Sequence, residues 1–135
     1  MRTFLVIMLL ISQPAQEYRI LSSKLPSPAE RFKSVEWVVS VDRSMSRSRV
    51  ESLLCKILAN EKPPKVDRLT VMIFVGLGEY LPENNYEQHQ LAWYVWNPNL
   101  PRVRGRLVLM KDPDGNPLDQ WQSREFNHPK ACSSM

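Results

Sequence analysis

Between Ser34 and Asp42 the chain alternates with a period of two. Val35, Trp37, Val39 and Val41 point one way, and Ser34, Glu36, Ser40 and Asp42 point the other. A strand with one face on a core and one face in water produces this pattern. Directly afterwards the period changes. Val50, Leu53, Leu54, Ile57 and Leu58 recur at spacings of three and four, which collects them on one side of a helix. Ser46 stands where an N-cap is needed, with Met45 before it and Val50 after it as a hydrophobic staple, and Ser48 with Glu51 offers a second cap. Pro63-Pro64 stops the helix. A one-sided strand followed by a one-sided helix requires each to find an apolar partner, and packing the helix on a sheet meets both needs.

The remaining segments supply that sheet. Tyr18 to Leu25 reads as a first strand, closed by Pro26-Ser27-Pro28. Leu69 to Val75 is almost entirely apolar and β-branched, as a strand buried on both faces would be. Leu91 to Trp96 is a fourth strand, ended by Asn97-Pro98, and Val103 to Met110 a fifth, followed by the turn residues Asp112-Pro113-Asp114-Gly115-Asn116-Pro117. After Leu118 no periodicity remains. Eleven prolines against four glycines imply short elements and stiff connections. The expected fold class is α+β in two layers, with one amphipathic helix packed on a sheet of four or five strands, antiparallel or mixed. At 135 residues, 43% of them hydrophobic, the chain fits a single such domain.

The strand ending Val39-Ser40-Val41-Asp42-Arg43-Ser44-Met45-Ser46 before a helix, then Leu69-Thr70-Val71-Met72-Ile73-Phe74, and then the aromatic strand ending Trp96-Asn97-Pro98, resembles small uncharacterised bacterial α+β domains of unknown function. The resemblance covers Tyr18 to Leu109. Its motifs are structural, so it implies a fold and no activity.

The N-terminus has a basic start at Arg2, an apolar run from Phe4 to Ile11, and then Ser12-Gln13-Pro14-Ala15. This is the three-part order of a secretory signal peptide. The run is far shorter than the ~20 residues a membrane-spanning helix needs, so no stable membrane span is expected. We expect residues 1–15 to be the signal peptide, 16–127 the domain and 128–135 a mobile tail, in a periplasmic or secreted protein. The alternative is a cytoplasmic protein in which the apolar run is a buried first strand. Two cysteines, Cys55 and Cys132, cannot build a zinc site unaided. In an oxidising compartment they could form a disulfide, closing a loop of about eighty residues and contributing roughly 4 kcal/mol. With little to hold the segment around Cys132, two free thiols are the favoured state.

The formal net charge of +4 comes from 18 basic and 14 acidic residues mixed through the same segments. It gives a weak attraction to polyanions and defines no nucleic-acid site. Local chemistry is sparse. Cys55 falls in mid-helix, without the helix N-terminus that would activate a thiol. His89 with Glu87 and Glu83 matches no metal spacing, and Asp112, Asp114 and Asp119 lack the calcium-loop pattern. Gly76-Leu77-Gly78 lacks the third glycine and the lysine of a phosphate loop. No catalytic residue, metal or cofactor is expected.

The one surface with functional character is aromatic and basic. Arg102, Arg104 and Arg106 alternate, as residues on one strand face do. If that face adjoins Tyr94 and Trp96, the five form a patch able to stack on rings and pair with anions. The competing explanation is an edge strand kept soluble by its arginines. The expected function is a non-catalytic exported binding or interaction domain using these five residues, its partner a protein or anionic polymer. The alternative is a cytosolic nucleic-acid-associated accessory protein using the same arginines. A small hydrolase pairing His89 with Glu79 or Asp119 is a third possibility.

Overall fold

The computed structural model describes residues 17–133; the expected signal peptide lies outside these residues. Six strands form one mixed sheet, in the order in which they occur along the chain: β1 (Arg19–Lys24), β2 (Ser34–Val41), β3 (Arg68–Val75), β4 (Gln90–Trp96), β5 (Gly105–Lys111) and β6 (Pro117–Glu125). Only β2 and β3 run parallel; every other neighbouring pair is antiparallel. Parallel neighbours cannot be joined by a hairpin. The helix α1 (Arg47–Glu61) therefore makes the crossover between them. Its N-cap is Ser46, whose side chain makes no capping bond to a backbone N–H and lies instead 3.3 Å from the Ser48 hydroxyl. At the other end Lys62 adopts a left-handed conformation and donates its N–H to Leu58, ahead of the two prolines.

The expected architecture of four or five strands under a single helix is overturned. The sixth strand, β6, went undetected for a physical reason. Eight of its nine residues are exposed and only Leu118 reaches the core, because β6 is an edge strand beyond the cover of α1. A strand wet on both faces carries no hydrophobic period to read. The fifth strand begins at Gly105, so Arg102 and Arg104 belong to the connection before it. A second helix, α2 (His128–Ser133), occupies the stretch expected to be a mobile tail.

The core lies between α1 and one face of the sheet. Val50, Leu53, Leu54, Ile57 and Leu58 are buried and join a single cluster with inward residues of β2, β3, β4 and β5. Register arranges that face in cross-strand rows. One runs Trp37–Val71–Tyr94–Leu107, the next Val39–Ile73–Ala92–Leu109. The opposite face carries no helix. The loop after β3 covers one end of it, where the Tyr86 ring meets Phe74 edge to face at 5.2 Å.

Cys55 of α1 and Cys132 of α2 are joined as a disulfide, with Cα atoms 5.5 Å apart. This corrects the expectation of free thiols. Cys55 lies beside the apolar stripe of α1, and α2 brings Cys132 against the same cluster. Such a bond is compatible with an oxidising, extracytoplasmic compartment. Among the described residues no helix is long and apolar enough to cross a membrane. Replacing both cysteines with alanine is expected to lower the unfolding free energy by up to roughly 4 kcal/mol. Denaturant melts of the double variant and the unreduced protein measure this, and amide exchange should rise first in α2.

Candidate functional site

The five residues of the expected patch do not share a face. Tyr94 is fully buried, at 0% exposure, in the middle of the helix-side core. Trp96, two residues on, lies on the same side and is half-buried. Arg106 pairs across the ladder with Val95 and therefore points to the opposite, helix-free face, where its guanidinium approaches Ser123 Oγ at 3.5 Å. Arg102 is exposed in the connection, and Arg104 donates to the Leu100 carbonyl at 3.1 Å. Alternation orders side chains only within a strand, and this strand starts too late to align the three arginines.

What the structure assembles instead begins at Tyr94. Its hydroxyl sits 2.7 Å from the Phe126 carbonyl and 3.1 Å from His128 Nδ1. A hydroxyl has one proton, and a carbonyl can only accept. The proton therefore goes to Phe126, and the Tyr94 oxygen accepts from His128. The His128 backbone N–H also acts on this oxygen, and the tautomer with its hydrogen on Nδ1 is the one that lets the ring donate to it as well, leaving Nε2 without a hydrogen. Burial pushes the Tyr94 hydroxyl well above its usual range, so it stays protonated. Burial likewise lowers the pKa of His128, which favours the neutral ring.

Backbone packing makes this contact possible. Gly105 pairs with Trp96 on the adjacent strand and exchanges backbone bonds with the 126–127 segment: Phe126 N–H donates to its carbonyl at 2.9 Å, and its own N–H donates to Asn127 Oδ1 at 3.0 Å. A side chain at position 105 would collide with the Phe126 carbonyl oxygen and come within 2.6 Å of the Tyr94 hydroxyl. Glycine there lets the chain pass over Tyr94 and deliver His128 against Trp96, with ring centroids 4.3 Å apart and planes at 61°.

Trp96 and His128 form one wall of an open cleft of about 520 Å³ at the end of the sheet where β2 and β3 begin and β4 finishes. Leu69, Val66 and the prolines 63, 64 and 98 make the apolar surround, with Lys33, Lys65, Asp67 and Asn99 as the polar lining. Asp67 is fully engaged as a strut: it accepts from the Lys33 backbone N–H at 2.7 Å and from Asn99 Nδ2 at 3.0 Å. Lys33 Nζ holds the Ser27 and Pro28 carbonyls. Lys65 makes no hydrogen bond or ion pair among the described residues. The cleft thus offers a wall of two rings set edge to face, Trp96 and His128, and one ammonium, Lys65, without a partner among the described residues.

A second groove of about 500 Å³, near the start of α1, is lined by Arg43, Arg49, Lys56, Asp42 and Glu17. Three of its charges are already spent, with Lys56 bonded to Glu17 at 2.9 Å and Asp42 to Arg19 at 3.3 Å. His89 makes no hydrogen bond to Glu79 or Asp119 among the described residues, and none of these shows a metal-binding grouping of three His, Cys, Asp or Glu. Asp112 closes its own turn, accepting from the backbone of Asp114 and Asn116. A scan of protein-family models and searches of curated proteins and solved structures find no match to this chain.

Sequence reasoning named Trp96 but missed His128, placing it in a tail. The available signal was chemical rather than periodic: Trp96, Gly105 and Phe126 are an aromatic, a glycine and an aromatic of the kind that lets one segment close over another. The depressed pKa of His128 has a consequence for stability. The unfolded chain takes up a proton on this histidine near pH 6.5, while the folded protein takes it up only at lower pH. Stability is therefore expected to fall as pH drops through and below that value, and to level off once the folded histidine also titrates. Denaturant melts at several pH values test this by comparison with His128→Gln, which should lack that part of the decline.

Proposed function

We propose that this protein is an extracytoplasmic, non-catalytic binding domain whose ligand occupies the cleft between Trp96, His128 and Lys65. The observation that carries this reading is the pairing of the Trp96 ring with a histidine whose Nδ1 lies 3.1 Å from the hydroxyl of the buried Tyr94. Sites that orient a small ligand combine apolar walls with a few fixed polar groups. The chemistry of those groups describes the ligand. A planar ring would lie along Trp96, an O–H or N–H would donate to Nε2, and an anionic group would meet Lys65. No side chain in the lining is positioned as a nucleophile beside a base, which favours binding over turnover. The disulfide supports an exported setting over a cytosolic role on nucleic acid.

The probe is a small aromatic hydroxy acid, 4-hydroxybenzoate, titrated into the protein while tryptophan emission and amide shifts are followed. Saturable shifts confined to residues around Trp96, Asn99 and His128 are expected. Trp96→Ala should weaken binding about tenfold, the scale of one lost aromatic contact, and Lys65→Ala should weaken anionic probes more than neutral ones. Shifts spread over the surface without saturation, or binding indifferent to both substitutions, would contradict the assignment.

A further inference from the structure

The helix-free face of the sheet carries two complete cross-strand rows. The first runs Ser22–Val38–Met72–Trp93–Val108–Ser123 across all six strands. It is apolar at its centre and hydroxylated at both ends. The second, one pleat further along, runs Lys24–Glu36–Thr70–Val95–Arg106–Glu125. Its charges read positive, negative, two uncharged residues, positive, negative. Trp93 is 37% exposed at the middle of the face, and Trp121, alternating with Ser123 on the same side of β6, is 64% exposed.

Both rows have the same internal symmetry. Consider a twofold axis running between β3 and β4, parallel to the strands and midway between two stacked sheets. It lays β1 of one copy over β6 of the other, β2 over β5, and β3 over β4. Lys24 then faces Glu125 of the second copy, and Glu36 faces Arg106. In the neighbouring row Met72 faces Trp93 and Ser22 faces Ser123, while Val38, already buried at 5% exposure within its own chain, lies opposite Val108. Each contact occurs twice, as an isologous interface requires. No like charges meet. Two twisted sheets packed in this aligned way cross at about 30° and sit about 10 Å apart, a rotation small enough to keep these rows in register near the axis.

We infer that the helix-free sheet face is a self-association surface, on which a second copy of this chain packs sheet to sheet with Glu36 against Arg106. The charge order carries the choice of occupant. A row reading plus, minus, neutral, neutral, plus, minus is complementary to its own reverse, whereas a surface built for a polyanion would not set Glu36 and Glu125 beside its basic groups. Much of the face is already half-buried within one chain, with Trp93 at 37% exposure, so the dimer belongs with the weak, reversible class of interfaces. The surface is on the opposite side of the sheet from Trp96 and His128, and its failure would leave the cleft untouched.

Sedimentation equilibrium over a concentration series is the direct test, with circular dichroism and thermal melts to verify folding of each variant. The protein should dimerise reversibly. Glu36→Arg would place arginine against Arg106, and Arg106→Glu would place glutamate against Glu36; each is expected to weaken the dimer on the order of a hundredfold, because facing like charges cost several kcal/mol. Mixing the two variants restores opposite charges at both contacts, so an equimolar mixture should dimerise as the unaltered protein does. Should either variant fail to fold, Val108→Lys supplies the same disruption from the apolar row. A monomer up to about 1 mM, a concentration at which even millimolar affinities register, would overturn the inference and leave the face to another partner. Dimers that persist in the charge-reversed variants, or a mixture that stays monomeric, would overturn it as well.

Discussion

The Tyr94 hydroxyl constrains more of this structure than any other single group. It is fully buried within the helix-side core, where a polar atom without a partner costs about 1–3 kcal/mol. Its partners come from the far end of the chain, Phe126 and His128. Satisfying it therefore draws the segment after β6 back over the centre of the sheet, and that return fixes where α2 lies. The ring contacts follow: Phe126 meets Tyr94 edge to face at 5.9 Å, and His128 meets Trp96. The disulfide to α1 then fastens the same short helix from its other end. A segment of six residues could not hold a helical conformation alone. Here it is held at both ends by chemistry that has nothing to do with helix propensity.

That return also divides the molecule into two surfaces with separate physics. On the helix side, the closing segment leaves a cleft walled by Trp96 and His128 where the cover of α1 gives out. On the other side the sheet is covered in part, with Val38, Ser40, Phe74 and Met110 buried, and is exposed around Trp93 and Trp121. A single helix crossing between β2 and β3 can cover one face only, so a chain of this size with this topology leaves the other face open. The asymmetry is a consequence of one parallel crossover, and it puts a cleft and a helix-free sheet face on opposite sides of the same sheet.

Much of the framework was legible in the residues. The alternation from Val35 to Val41 and the stripe from Val50 to Leu58 both report burial, and burial is what periodicity measures. Where burial is absent the signal fails. Thus β6, wet on nearly every side chain, passed as irregular, and α2, too short to show a period, passed as a tail. The residues at the cleft were harder for a different reason. The grouping of Tyr94, Trp96 and Arg106 depends on which strand face each occupies, and that depends on where β5 begins. A start at Gly105 rather than Val103 removes Arg102 and Arg104 from the strand and turns Arg106 away from Trp96. His128 acquires its significance only through contacts with residues more than thirty positions away in sequence.

The central claim is that a buried hydroxyl, held by the Phe126 carbonyl and by the backbone and ring of His128, favours one tautomer of the histidine at the cleft. A long-range proton–nitrogen correlation spectrum of the imidazoles at neutral pH reads this directly. The account predicts that His128 is neutral with its hydrogen on Nδ1 and a bare Nε2, and that Tyr94→Phe, which removes the acceptor, releases it to the mixed tautomers of a free imidazole. A His128 ring carrying its hydrogen on Nε2 in the unaltered protein would contradict it.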